Sequence, residues 1–295
     1  MKLYIIGNGF DMNHDMRTSY LDYRNFLIKK YSYIIREYER SQYLEAYNCN
    51  HNTRWSELEN CLRIEFKECM SDIAGNFYPD ISSERTPGWD DILIEVDNTF
   101  SFLSEFTQNC FNEWINEVAI PDGIILRPDV DKAAHFVTFN YTRTLEEIYQ
   151  IPDKNILHIH GDISDIKTIQ FGTPENNPNA IYSSLENLYS EDEFYNVVFA
   201  PAINSISGYA NNAYKSLKDN YVKLHIFLNN IEQINEIIIM GHSYLGIDEP
   251  YYTDVLVPML HDSMWTIYVH NQKDITQANQ FISGYRLLNT QLVKW

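Results

Sequence analysis

Lys2-Leu3-Tyr4-Ile5-Ile6-Gly7-Asn8-Gly9-Phe10-Asp11 decides how the rest of the chain is read. A short apolar run ending in Gly-Asn-Gly has the form of a buried parallel strand that feeds a tight turn. Glycines in such a turn let backbone N–H groups approach a phosphate. We therefore read the segment as the first strand and phosphate-facing turn of a nucleotide-binding α/β domain. The turn is Gly-x-Gly and lacks the third glycine of the dinucleotide fingerprint, so a plain strand-to-helix turn is the competing reading. Asp11 is either an acceptor for a ribose hydroxyl or the cap of the next helix.

Beyond this turn the apolar period changes. Tyr20, Tyr23, Leu27, Tyr31, Ile34 and Tyr38 recur at three- and four-residue steps, which predicts a helix that Thr18 or Ser19 can cap. Trp55, Leu58, Leu62, Phe66, Cys69 and Ile73 repeat the period, as do Ile92, Val96, Leu103, Phe106, Cys110, Trp114 and Val118. Between them a stretch with Pro79, Ser82, Ser83, Pro87 and Gly88 reads as a loop. A simple βαβ crossover needs fewer helices, so we expect a helical insertion or cap over roughly residues 40–120, packed on the sheet. The second half alternates. Strands are expected at 134–138, 155–159, 236–240 and 264–269, with 196–200 a further candidate. Helices are expected at 143–150, 213–230, 249–260 and 275–285. This order predicts a Rossmann-like, doubly wound, mostly parallel sheet in one domain spanning 1–295. The polar residues 172–194, with Pro174 and Pro178, read as a mobile loop over a site.

The 295 residues are 44% apolar and 21% charged, and 22 Tyr and 15 Phe supply much of a core of useful size. Net charge is −19 with no Lys/Arg run, which argues against sequence-blind binding to nucleic acid or anionic lipid. Cys49, Cys61, Cys69 and Cys110 form no C-x-x-C pair and read as reduced core thiols of a cytosolic protein. The chain enters a strand at once, without a signal-peptide pattern, and no apolar run approaches a membrane span. A cytoplasmic protein without membrane contact is the expectation.

In open parallel sheets ligands bind beyond the carboxyl ends of the strands. Four such ends here are loaded with Gly, Asn, His and Asp: Gly7 to Asp11; Thr138-Phe139-Asn140-Tyr141-Thr142; His158-Ile159-His160-Gly161-Asp162; and Gly241-His242-Ser243 with Asp248. Their convergence marks one candidate site. A neutral His160 imidazole can accept a proton from a ribose hydroxyl or water; otherwise it is a histidine bonded to nearby backbone. Asn140 can hold a water or a ribose hydroxyl, or cap the following helix. His158, two residues before His160, reads as a support or core residue. His158-x-His160-x-Asp162 also invites a metal reading, but Ile163 stands where a lactamase-type set carries another histidine; no metal is expected. Ser243 lies outside a G-x-S-x-G elbow, and there is no Gly-Lys-Ser/Thr, which argues against an esterase triad and a P-loop.

Together the motifs resemble a known family. Gly7-Asn8-Gly9-Phe10-Asp11 with His14, Thr18-Ser19-Tyr20 and Asp22-Tyr23 resembles the opening of the abortive-infection AbiH family of bacterial anti-phage proteins. Phe139-Asn140-Tyr141-Thr142 with Leu145-Glu146, His158-Ile159-His160-Gly161, and Gly241-His242-Ser243 with Ile247-Asp248 and Tyr251 are similar to its later motifs, and Trp55 with Glu59 to a weaker one. The resemblance runs to about residue 285. That family in turn resembles a distant branch of the sirtuin-like fold, whose defence members hydrolyse NAD and starve the infected cell. The resemblance implies Asn140 handling ribose and water and His160 as the catalytic histidine. It implies Gly7, Asn8 and Gly9 as the pyrophosphate loop and Ser243 and Asp248 as an adenosine-side turn; on the same strand ends Asp11 is a candidate catalytic ribose contact, and Phe10, Thr138, Gly241 and His242 are candidate nucleotide contacts. Thr142 stands where the wider fold often has Asp, the interval from Asn140 to His160 is short for it, and the zinc cysteines of deacetylases are missing. The implied activity is cleavage of NAD, as substrate, at the nicotinamide–ribose bond. The alternatives are a nucleotide or ADP-ribose sensor without catalysis and a metal-dependent phosphohydrolase. A phage-derived trigger or regulatory partner and a homo-oligomer are expectations of the same kind.

Overall fold

Successive side chains of β1 (Lys2–Ile6) point to opposite faces, and both faces are apolar. Leu3 and Ile5 join one buried cluster, with Val137, Ile237, Ile239, Trp265 and Ile267. Tyr4 and Ile6 join another, with Phe136, Leu145, Tyr149, Ile238 and Met240. A strand buried on both faces belongs in the middle of a covered parallel sheet. The computed structural model describes residues 1–79 and 88–295; the part of the expected loop with Ser82, Ser83 and Pro87 lies outside them.

Among the described residues, β1 joins β2 (His135–Thr138), β3 (Ile156–His158), β4 (Glu236–Met240), β5 (Met264–Val269) and β6 (Thr290–Lys294) in one sheet of order β3-β2-β1-β4-β5-β6. Every pairing is parallel. This is the strand order of the Rossmann fold, and it reverses between β1 and β4. Ile5 is in register with Val137 on one side and Ile239 on the other. β6 carries no clear sequence signal, because its alternating, partly exposed TQLVK suits a sheet edge rather than a buried run.

The chain divides into two units. The first, Met1–Ser19, Ile115–Ile169 and Leu217–Trp295, holds the sheet and the strand ends; the second, Tyr20–Trp114 and Gln170–Ser216, is helical. The helical region thus begins before residue 40 and recruits a second chain segment. Its aromatic core includes Tyr23, Tyr38, Trp55, Phe106 and Phe111, all fully buried. No helix among the described residues is long and apolar enough to cross a membrane.

Several expected elements differ in detail. The helix expected through Tyr38 is two, Tyr20–Lys30 and Ser32–Arg40, because Tyr31 leaves helical geometry at φ −133°, ψ 51°. A one-residue break does not disturb the apolar period. The run from Trp55 to Ile73 is a helix His51–Ser56, a 3-10 turn Asn60–Leu62 and a helix Phe66–Phe77. Residues 196–200 are not a strand: Tyr195–Phe199 is a π-helical turn leading into the helix Ala200–Asn212. A short apolar run is ambiguous between strand and helix. Residues 172–194 are not a loop. They contain the helix Pro178–Tyr189, in the second unit, with Asn177 accepting from the N–H groups of Asn179 and Ala180. The Asn and Pro that suggest a loop are a helix start.

Candidate functional site

The glycines at the ends of β1 and β4 let two turns touch backbone to backbone. A Cβ on Gly7 would lie 2.5 Å from His242 Cα, and one on Gly9 2.8 Å from Gly241 Cα. Gly241 has φ +64°, and a Cβ there would lie 2.1 Å from the Phe10 nitrogen. The N–H of Gly7 donates to Met240 O (3.1 Å), that of Gly9 to Gly241 O (2.8 Å) and that of Phe10 to Gly7 O (2.9 Å). These three donors are engaged within the fold. Asn8 Nδ2 donates to Thr18 O at 2.9 Å. Phe10 is fully buried, packed near His14 and Tyr149, and is a core side chain.

Asp11, in the short helix Asn8–Met12, is 1% exposed. Its Oδ2 accepts from Thr142 Oγ1 at 2.5 Å, and Thr144 Oγ1 donates in turn to Thr142 at 3.1 Å. Burial pushes the Asp11 carboxyl above its ordinary range, although Thr142, Thr144 and Asn140 beside it favour the charged form. His14 backs the cluster: its ring nitrogens meet Phe10 O and Tyr149 Oη, each at 2.7 Å. Asn140 follows β2. Its N–H donates to Thr138 Oγ1 and its Nδ2 to Gly7 O, both at 3.1 Å. Asp11 Oδ1 and Asn140 Oδ1 are buried and meet no hydrogen-bond donor among the described residues. Buried acceptors are nearly always satisfied, so each of these oxygens calls for a donor from a ligand or a water.

His160 follows β3 and is 2% exposed. Its Nε2 lies 3.1 Å from Tyr251 Oη, which accepts from Asn220 Nδ2 at 2.9 Å, and 3.8 Å from Asp248 Oδ1. Across the same carboxylate, His242 Nε2 lies 3.4 Å from Asp248 Oδ2, and its Nδ1 meets Tyr252 Oη at 2.7 Å. Burial pushes the Tyr252 hydroxyl well up, so it stays protonated. Asp248 thus lies between two histidines, each bonded to its own tyrosine. The Phe139 ring packs on His242 (centroids 3.9 Å) and edge-on to His160 (5.3 Å). Tyr251 and Tyr252 are consecutive yet both serve the cluster. A π-helical turn begins at Tyr252 and widens the helix here, as such turns often do at functional positions. Ser243 is exposed and donates to Leu245 O (3.1 Å).

His158 is a support. Its Nε2 pairs with Glu146 Oε1 at 2.8 Å, and its Nδ1 meets Asn140 O at 3.2 Å. Asp162 accepts from the N–H of Ser164 (2.7 Å) and lies 3.4 Å from Arg143. Burial would raise its carboxyl, but Ser164, His158 and Arg143 hold it below the usual range. The two outer members of His158-x-His160-x-Asp162 thus face separate partners, and among the described residues no group of three His, Cys, Asp or Glu side chains is arranged for a metal.

Thr144, Asn220 and Tyr252 join the site without a sequence motif of their own. Asn220 does carry a signal: it sits three residues after Leu217 and four before Leu224, on the apolar stripe of the helix Leu217–Asn229, and is fully buried. A polar residue on such a stripe needs a partner, and Tyr251 is one.

The family model for bacteriophage abortive infection AbiH matches residues 3–269, which takes in all four strand ends. No curated protein and no solved structure matches the chain. Matched over most of its length, the chain belongs to the bacteriophage abortive infection AbiH family.

Proposed function

We propose that the protein acts in abortive infection by hydrolysing NAD at the nicotinamide–ribose bond, at the strand-end site of β1 to β4. The observation that carries the reading is the pair of buried oxygens on Asp11 and Asn140 that meet no donor among the described residues, at the rim of a sheet with Rossmann order. A ribose offers hydroxyl donors, and acceptors of this kind recognise them in dinucleotide sites. Asp11 also supplies the carboxylate that position 142 lacks, while Thr142 donates to it.

In this reading water and NAD give nicotinamide, ADP-ribose and a proton. The bond breaks through a sugar cation, so the protein must hold the ribose, place water and stabilise charge. Asp11 and Asn140 hold the ribose, Asp11 faces the developing cation, and His160 takes the proton from water or a ribose hydroxyl. Asp248 and Tyr251 orient the His160 ring. The pyrophosphate is held by groups other than the N–H groups of Gly7, Gly9 and Phe10, which the fold already uses. Such an activity must be restrained until infection, by a regulatory partner or by self-assembly in the cytoplasm, and released by a phage-derived trigger.

A second reading is a nucleotide or ADP-ribose sensor without turnover. The deep burial of His160 and its bond to Tyr251 favour it. Purified protein incubated with NAD, with products separated by chromatography, distinguishes the two. Nicotinamide release lost in His160→Ala and Asn140→Ala supports hydrolysis. Binding without release in the native protein supports the sensor. Release abolished by a chelator would favour a metal-dependent hydrolase, a reading that the partners of His158 and Asp162 do not support.

A further inference from the structure

The four cysteines read as core thiols in the sequence, but two of them touch. Cys61 Sγ donates to Cys49 Sγ at 3.3 Å. The residues flank the helix His51–Ser56, and Arg54 on that helix fastens the surrounding chain: Nε to Ala46 O (2.8 Å), Nη1 to Glu39 O (3.4 Å) and Nη2 to Cys49 O (3.2 Å). The two sulfurs are thus held face to face by a braced loop. Closing them to a bond of ~2.05 Å takes a movement of about 1.2 Å.

We propose that Cys49 and Cys61 form a reversible disulfide site that reacts with low-molecular-weight disulfides. Cys49 is partly exposed and Cys61 is 1% exposed, which sets the order of events. The Cys49 thiolate attacks the small disulfide, forms a mixed disulfide and releases one small thiol. Cys61 sulfur then attacks Cys49 Sγ, and its proton leaves with the second small thiolate, which departs as a thiol. Two protein thiols are oxidised, and one small disulfide is reduced to two thiols. Burial pushes the Cys61 thiol well up, which leaves the first attack to the more exposed Cys49, and the 3.3 Å contact between the sulfurs favours the second. Cys69 and Cys110 are buried, and burial raises both thiols, Cys110 to about 12, so they stand aside.

The closed loop would carry Trp55, fully buried, and Glu59, whose carboxylate accepts from Tyr20 and from buried Lys215. The bond would pin that segment of the helical unit covalently.

The test uses the full chain treated with oxidised glutathione, then alkylated, with intact mass and peptide mapping. The expected result is loss of two of the four alkylatable thiols, a linked Cys49–Cys61 peptide, and recovery of all four with dithiothreitol. Cys49→Ser, a conservative change at the more exposed position, should abolish the loss. Cys61→Ser should stop at a stable glutathione adduct on Cys49. Four alkylatable thiols after treatment, a persistent adduct on Cys49 of the native chain with Cys61 free, or linkage to Cys69 or Cys110 would each overturn the proposal.

Discussion

Three glycine-to-alanine variants separate what the strand-end glycines do. Gly246 has φ +79°, and a Cβ there would meet nothing within 4 Å, so Gly246→Ala meets backbone strain alone; that costs about 1 kcal/mol. Gly7 has φ −129°, which any residue adopts, but its Cβ would lie 2.5 Å from His242 Cα and 2.7 Å from Gly241 O. Gly7→Ala therefore meets overpacking against backbone, about 1–3 kcal/mol. Gly241→Ala meets both, with a Cβ 2.1 Å from the Phe10 nitrogen and 2.4 Å from Gly9 C, and should cost about 2–5 kcal/mol. At roughly 2–4 °C per kcal/mol for a unit of this size, thermal melts should place Gly241→Ala clearly below Gly246→Ala. Hydrogen exchange across Glu236–Met240 should rise in Gly241→Ala and Gly7→Ala and stay unchanged in Gly246→Ala. If Gly241→Ala melts with Gly246→Ala and loses only nucleotide binding, the glycines serve ligand approach, and the turn-packing argument is wrong.

The remaining predictions concern buried charge and support. The folded state raises the Asp11 carboxyl, so the native chain binds this proton more tightly than the unfolded one. Its stabilising share is complete below the unfolded value of about 3.9 and is lost as pH rises through the folded value. Asp11→Asn should therefore gain on the native chain between pH 4 and pH 8 in urea midpoints; a constant gap would contradict the burial argument. Lys215→Met leaves Glu59 buried without its cation and should cost about 3–5 kcal/mol at neutral pH, whereas Glu59→Leu with Lys215→Met should recover much of it in denaturant titrations. His158→Ala should cost about 1–3 kcal/mol by leaving Glu146 short of a donor. If NAD is turned over, it should lower kcat/KM by no more than ~10-fold, against at least ~100-fold for His160→Ala; equal losses would move His158 into the chemistry.

How much of the fold and site is legible in the sequence depends on where the signal lies. Strands buried on both faces, such as Ile237-Ile238-Ile239, announce themselves as apolar runs, and parallel strands read this way fix the sheet class. β6 does not, because an edge strand is half solvated. The strand ends stand out through Gly, Asn, His and Asp clustered after apolar runs, and the fold brings Asp11, Asn140, His160, His242 and Asp248 to the carboxyl side of β1 to β4. The role of the glycines is not legible. A missing Cβ looks the same in sequence whether the space is filled by a phosphate or by the neighbouring turn. Thr144 and Tyr252 stay hidden because their partners are brought close only by the sheet order. The helical unit is half legible, since its second segment, with Asn177-Pro178, uses residues common to loops and to helix starts.

The strand order also sets a schedule for the newborn chain. β1 ends at Ile6, while its neighbour β4 begins at Glu236. At ~5–20 residues per second, the roughly 230 residues between them take on the order of 10–50 s to make. Through that interval the central strand has no partner on one side, and its glycine turn has nothing to lock against. Asp248, Tyr251 and Tyr252 emerge later still. A ribosome stalled or a message cut anywhere before this point yields a chain whose candidate site is unbuilt.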